Sequence, residues 1–304
     1  MWYRKYKFFL VFLWSSNTQN MNLFKFSAFA AVIILAASCS SGRKLTYSPD
    51  SGFPIIDQQG KVAIVAHRGF WKSEQGGMSE NSIASLKAAQ DAGLWGSECD
   101  VHITADDVVM VNHDPAINGK KIAFSKFADF AGDLLPNGER RPTLDEYLDQ
   151  TAKCKTTRLV IELKKQPSED REDMLVAKTI AALKVHKLYN PDRIVFITFS
   201  KYMCDMVARL CPEFINQYLS MDFVADEDPD IYGPQGINGV DYQYKMFAAH
   251  PEWVKHAHDR GMSVNAWTVN KDKDIRKMIE VGVDAITTNE PLLVRQLLGD
   301  KEYK

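Results

Sequence analysis

The sequence predicts an α/β protein, a TIM-type (β/α)8 barrel with a β-hairpin excursion after the second strand. Three observations carry that expectation. Eight strand-like runs alternate with amphipathic stretches from residue 60 onward, and strand–helix alternation sustained over about 240 residues suits a closed parallel barrel. The main rival is a doubly wound open sheet, but no G-x-G-x-x-G follows the first strand, so that fold's nucleotide-binding pattern is missing. Polar residues also gather at the C-terminal ends of the first three strands, where a barrel collects its chemistry.

In chain order, residues 1–38 read as a targeting segment and stand outside the fold. Met21 to Ser38, MNLFKFSAFAAVIILAAS, sets one lysine before a long apolar run that ends in small residues, the layout of a secretory signal. Cys39 follows directly, as in a bacterial lipoprotein processing site, which makes Cys39 the candidate lipidation residue. The plainer alternatives are an ordinary signal peptide or an uncleaved anchor. The expected protein is exported, a membrane-anchored lipoprotein that is periplasmic or on the cell surface. Residues 39–59 are polar and turn-rich and read as a tether. Residues 60–304 form the barrel domain. Formal net charge is −2, with 45% apolar and 25% charged residues. These values fit a globular domain and exclude broad attraction to nucleic acid.

The strand candidates are 62–67, 97–103, 158–164, 193–200, 214–220, 239–245, 263–269 and 284–290. Between them, Ile83, Leu86 and Ala89 keep helical spacing, as do Val176, Ile180 and Leu183, and again Ile275, Met278 and Ile279. Thr143-Leu144-Asp145-Glu146 fits a capping box after Pro142. One stretch breaks the rhythm. VHITADDVVMVNHD is two β-like runs joined at Ala105-Asp106-Asp107, a hairpin rather than a helix. A turn centred on Asp106 sets Asp100 opposite Asn112 and returns His113 to the level of Asp100. The remaining cysteines, Cys99, Cys154, Cys204 and Cys211, have no metal-binding spacing. They read as small buried hydrophobes.

The strand ends hold the chemistry. The first strand ends in His67-Arg68, the second carries Glu98 and Asp100, the hairpin ends in His113, and the third carries Glu162 and Lys164. Later strands add Ser200, Tyr242, Lys245, Asn265, Trp267 and Asn289. Residues i and i+2 of a strand share a face, so Glu98 pairs with Asp100 and Glu162 with Lys164, while Cys99 points to the helices. Three carboxylates in one space repel and call for a cation. An oxygen-only set suits a hard divalent ion, Mg2+ or Ca2+, with Mn2+ as a third option. Arg68 and Lys164 beside it fit an anionic ligand such as phosphate. His67 and His113 can move protons near neutral pH. Together these groups fit displacement at phosphorus. The competing reading of each residue is structural. A Glu-x-Lys pair is commonly a salt-bridged face, and Trp267 serves equally as rim or ligand wall. His102 is expected at the rim or in solvent, and His186, His250, His256 and His258 are assigned no role.

These residues carry a resemblance. AHRG (66–69), SENS (79–82), ECDVHIT (98–104), VNHD (111–114), RPTLDEYL (141–148), IELK (161–164), VNAWTVN (264–270) and ITTNEP (286–291) run in the order found in glycerophosphodiester phosphodiesterases. The chain resembles that family across nearly all of residues 60–295. The resemblance implies a TIM barrel and hydrolysis of a glycerophosphodiester to glycerol 3-phosphate and an alcohol. It implies that His67 and His113 form the acid/base pair and that Glu98, Asp100 and Glu162 hold one divalent metal. It implies that Arg68 and Lys164 contact phosphate and that Asn81 supports them. Two departures stand out. Ser79 and Ser82 replace a usual proline and threonine, and residues 115–139 lack a common TTxGxG-like stretch beside the substrate pocket. The alternatives are phospholipase D-like cleavage of intact lipids and a non-catalytic binding lipoprotein. The expected partners are a small-molecule substrate and, through the lipid anchor, a membrane.

Overall fold

The structure is a computed structural model and describes residues 62–221, 227–231 and 236–299. The expected targeting segment, Cys39 and the tether lie outside the described residues. No helix among the described residues is long and apolar enough to cross a membrane.

Eight parallel strands close a barrel. They are β1 (Ala63–Ala66), β2 (Gly96–Ile103), β6 (Arg158–Leu163), β7 (Ile194–Thr198), β8 (Ile215–Ser220), β9 (Gly239–Gln243), β10 (Ser263–Trp267) and β11 (Ala285–Thr288), each paired with the next. Pairing of β1 with both β2 and β11 completes the ring. All eight expected strands form. The sixth is shorter than its pattern, because Tyr244 and Lys245 open a helix instead of extending β9.

The helices are α1 (Ile83–Asp91), α2 (Leu144–Ala152), α3 (Glu169–Val185), α4 (Lys201–Leu210), α5 (Tyr244–Ala249), α6 (Glu252–Asp259), α7 (Asp272–Val281) and α8 (Pro291–Leu297). The capping box at α2 is present: the Thr143 hydroxyl accepts from the Glu146 N–H, and Glu146 accepts in return from the Thr143 N–H. Alternation along the strands sorts the core into two layers. Cys99, Val101 and Ile161 pack outward against the helices with Tyr147 and Phe196. Val65, Val160, Val195 and Ile215 fill the barrel interior. Truncating a fully buried aromatic such as Phe196 costs about 3–5 kcal/mol. Near the barrel floor Gly239 has no room for a side chain, since a Cβ there would lie 2.2 Å from the Ser263 hydroxyl.

The hairpin excursion has the expected register. The arm β3 (Val109–Val111) pairs antiparallel with β2, Val101 opposite Val111 and Ile103 opposite Val109. Asn112 N–H donates to the Asp100 carbonyl at 3.0 Å. Thr104 and Asp106 close the turn through a 2.6 Å hydrogen bond, and Asp107 takes the left-handed conformation, φ 63°. The chain then forms a two-stranded ribbon, β4 (Ala116–Ile117) with β5 (Lys120–Lys121), before rejoining the barrel at α2. Cys99, Cys204 and Cys211 are buried free thiols as expected. Cys154 differs, being only part-buried where the chain leaves α2.

Candidate active site

The C-terminal mouth of the barrel is built from strand ends and two loops. β1 stops at Ala66 because the next three residues turn sharply. Arg68 and Gly69 both have positive φ, 56° and 80°. A Cβ on Gly69 would come within 2.3 Å of the Ser85 hydroxyl, so only glycine fits. The strained Arg68 backbone is held at both ends. Its N–H donates to Glu98 Oε2 at 2.7 Å, and its carbonyl accepts from the Asn81 N–H at 2.9 Å. This is the use of the His-Arg-Gly turn: it aims the His67 and Arg68 side chains into a polar site.

Three carboxylates occupy the floor. Glu98 and Asp100 point inward from β2 and Glu162 from β6, and one oxygen of each lies within 4.8 Å of the others. Glu98 Oε1 is buried with no hydrogen-bond partner. Burial, then the Asp100 and Glu162 charges, push Glu98 well above the usual carboxylate range. Burial and Asp100 push Glu162 up to about 8. Asp100 goes the other way: burial opposes its charge, but Lys164, His113, Asn81 and Arg68 together outweigh burial and hold it low. An orphaned oxygen and two reluctant carboxylates are what a hard divalent cation would relieve, so this donor set fits Mg2+ or Ca2+.

Two cations border the carboxylates. Lys164 Nζ lies 2.8 Å from Glu162 and 3.2 Å from Asp100. Burial opposes the Lys164 charge, yet Glu162 and Asp100 raise its pKa. The Arg68 guanidinium donates to Glu80 at 2.7 Å and reaches Asp100 at 3.7 Å. Asn81, itself at φ 57°, donates to Asp100 Oδ2 at 2.8 Å and fixes that carboxylate.

The two histidines have different partners. His67 Nδ1 donates to Asn289 Oδ1 at 2.9 Å, across the closure of the ring. Burial, then Arg68, lower His67 to about 4, so its ring is neutral at pH 7. With Nδ1 protonated, Nε2 is a free base. His113 Nδ1 instead donates to the Asp114 carboxylate at 2.7 Å. Trp267 gives its indole N–H to the Asp241 carbonyl and meets the Phe199 ring edge-on, centroids 5.6 Å apart.

The mouth divides into two cavities. One, of about 270 Å3, is lined by His67, Glu98, Glu162, Lys164, Asp241 and Trp267, together with apolar Phe199 and Met221. The other, of about 410 Å3, lies under the excursion. Arg68 and His113 line both.

His67, Arg68, Asn81, Glu98, Asp100, His113, Glu162, Lys164 and Trp267 thus stand together at this mouth. Four expectations need correction. His102 is not at the rim. It is 4% exposed, donating from Nε2 to the His113 carbonyl at 3.1 Å and contacting Gln166 through Nδ1. Tyr242 faces the helices, buried with Phe247 and Trp253. The inward residue of β9 is Asp241, which burial holds well above the carboxylate range. Its signal was the alternation itself, since Val240 and Tyr242 are the outward apolar pair. Ser200 caps α4 and donates to Glu172, and Lys245 is exposed on α5.

Comparison with known proteins agrees with this geometry. The model of the glycerophosphoryl diester phosphodiesterase family matches residues 67–293. A crystal structure of a glycerophosphodiester phosphodiesterase from Parabacteroides distasonis is 38% identical and superposes with a TM-score of 0.74, covering 80% of this chain and 98% of that one. A glycerophosphodiester phosphodiesterase of Caldanaerobacter subterraneus is 25% identical, covering 76% of this chain and 95% of its own. Another from Bacillus subtilis is 28% identical, covering 78% and 86%. A match over most of the barrel places the chain in the glycerophosphoryl diester phosphodiesterase family.

Proposed function

We propose that this protein hydrolyses glycerophosphodiesters to glycerol 3-phosphate and an alcohol, with a divalent cation held by Glu98, Asp100 and Glu162. The observation that carries the reading is the meeting of two histidines, three carboxylates and two cations around one cavity. A bound divalent ion would supply positive charge against the phosphate oxygens. Arg68 and Lys164 grip the remaining oxygens.

His67 and His113 then divide the proton work. His67, neutral and with its Nε2 unprotonated, takes the proton from the attacking oxygen as that oxygen bonds to phosphorus. His113 gives a proton to the leaving alkoxide as its P–O bond breaks. The division follows from the partners, since Asp114 can sit beside a charged ring and Asn289 offers only a neutral amide. Water is consumed overall, whether it attacks directly or opens a cyclic phosphate formed by the glycerol hydroxyl. The apolar run before Cys39 supports an exported, lipid-anchored location.

The test is release of glycerol 3-phosphate by chelator-treated protein with Mg2+, Ca2+ or Mn2+ restored. We expect metal-restored activity that drops at least about 10²-fold in His113→Ala. Activity indifferent to both chelator and substitution would refute the reading. A second reading, cleavage of acylated lipids, draws on Phe199, Leu219 and exposed Met221 beside the cavity. Lysophospholipid in the same assay separates the two.

A further inference from the structure

We propose that the cavity under the excursion is the head-group site and that it selects a neutral polyol, a cyclitol or sugar-like alcohol, over a cationic amine. This rests on the phosphodiesterase reading and adds the substrate class to it.

Position comes first. The base of the proposed pair, His67, lines only the smaller cavity, whereas His113 and Arg68 line both. In an in-line displacement the attacking and leaving oxygens lie on opposite sides of phosphorus. The attacking side and the phosphate therefore belong with His67 and the carboxylates. The alcohol that His113 protonates departs into the larger cavity. Its volume of about 410 Å3 is more than a short alcohol requires and accommodates a six-membered ring.

Charge decides the class. Four charged groups line this cavity, Arg68, Glu80, Asp114 and Arg141, two of each sign. Arg68 is paired with Glu80 at 2.7 Å. Asp114 accepts from His113. Among the described residues Arg141 makes no ion pair and donates to Asn112 instead. A quaternary ammonium calls for an uncompensated carboxylate or an aromatic cage. The wall offers neither, but it offers donors and acceptors side by side, which is what hydroxyl groups use.

Arg141 is the donor with capacity to spare. One terminal nitrogen donates to Asn112 Oδ1 at 2.8 Å, while its Nε is buried without a partner. Trp71, Leu135 and Pro136 supply apolar surface for the C–H face of a ring. Trp71 is pinned, its indole N–H bonded to Asn289. Ala116, Ile117, Asn118, Leu135 and Pro136 of this wall come from residues 115–139, the stretch that departs from the family pattern.

The experiment compares kcat/KM for glycerophosphoinositol and glycerophosphocholine, using the full chain with Mg2+ in detergent, in the natural protein and in Arg141→Gln. We expect a preference of at least about tenfold for the inositol ester, falling toward unity in the variant, as for loss of a charged hydrogen bond. A ratio taken within one preparation is independent of how much of the variant folds. Equal turnover of both esters, or a preference that Arg141→Gln leaves in place, overturns the head-group assignment and leaves the phosphodiesterase reading intact. If neither ester turns over, the phosphodiesterase reading fails by itself. Calorimetry on His113→Ala then decides the pocket: tenfold tighter binding of the inositol ester supports it, and equal binding overturns it.

Discussion

His102 shows how much a single side chain can do without touching a reacting atom. Burial, the largest influence, lowers it to about 4, so the ring is neutral at pH 7 and carries one proton. The Gln166 amide faces Nδ1, leaving Nε2–H to donate to the His113 carbonyl. The same amide nitrogen donates to the Lys164 carbonyl at 2.7 Å. One neutral ring thus ties the backbone of the proposed acid to that of Lys164, the proposed phosphate contact. His102→Leu removes the donor, and a shift of about 1 Å at His113 can cost up to about 10²-fold in rate. We expect a ten- to hundredfold loss of kcat with KM nearly unchanged. His102→Gln, which keeps an N–H near the same place, should recover most of it. Equal losses in both variants would reduce His102 to simple packing. Its role was hidden in the sequence for a physical reason. Strand alternation gives a residue's face but not its depth, and depth here comes from a hairpin arm that folds back over it. Asp241, by contrast, could have been read from its apolar neighbours.

Elements rather than residues explain why the C-terminal half of the ring stays shut. The last turn of helix α6 carries His258, whose Nε2 lies 3.1 Å from Asp284 Oδ2. That same oxygen accepts from the Val264 N–H at 2.7 Å, so helix, β10 and the approach to β11 share one carboxylate. The hydrogen bond to Asp284 raises the His258 pKa above 6.5 although burial opposes it. A raised folded-state pKa means stabilisation that is complete below pH 6.5 and fades as pH rises through the folded value. His258→Gln should therefore lower Tm more at pH 5.5 than at pH 9. The side chain is 40% exposed, so the difference is small, about 1–3 °C. Thermal unfolding at the two pH values checks it, and a penalty independent of pH would assign the effect to packing alone. At this scale the sequence is close to complete. The eight strands, the α2 cap and the Val101–Val111 register all follow from local periodicity and turn chemistry. Strand ends depart: β7, β10 and β11 stop short of their patterns, and at β9 residues 244–245 continue an alternating pattern yet open a helix.

The whole barrel is what local pattern cannot supply. His67 and Asn289 are 222 residues apart and bond only because β1 closes against β11. The β2–β6 pairing, with Asp100 opposite Glu162, brings Glu98, Asp100 and Glu162 together, so the fold carries a repulsion that a divalent ion would remove. Glu98 and Glu162 have raised pKa values, the latter about 8, first through burial and then through neighbouring carboxylates. Protonation therefore stabilises the metal-free barrel fully below the ordinary carboxylate value near 4.5, and that stabilisation is lost as pH rises toward 8. Metal must displace those protons, so its benefit grows in the same direction. At a concentration 100-fold above Kd a ligand adds about 2.7 kcal/mol, or roughly 5–10 °C in Tm for a domain of this size. Chelated protein should thus lose Tm between pH 5 and pH 8, and Mg2+ or Ca2+ should restore it most at pH 8. Glu98→Gln removes the reluctant charge while keeping the shape. Its metal-free Tm at pH 8 should exceed that of the natural chain, and its response to the ion should collapse. A natural chain whose Tm ignores both chelator and divalent ion across this range would take the metal out of the site and leave the carboxylates to Lys164 and Arg68.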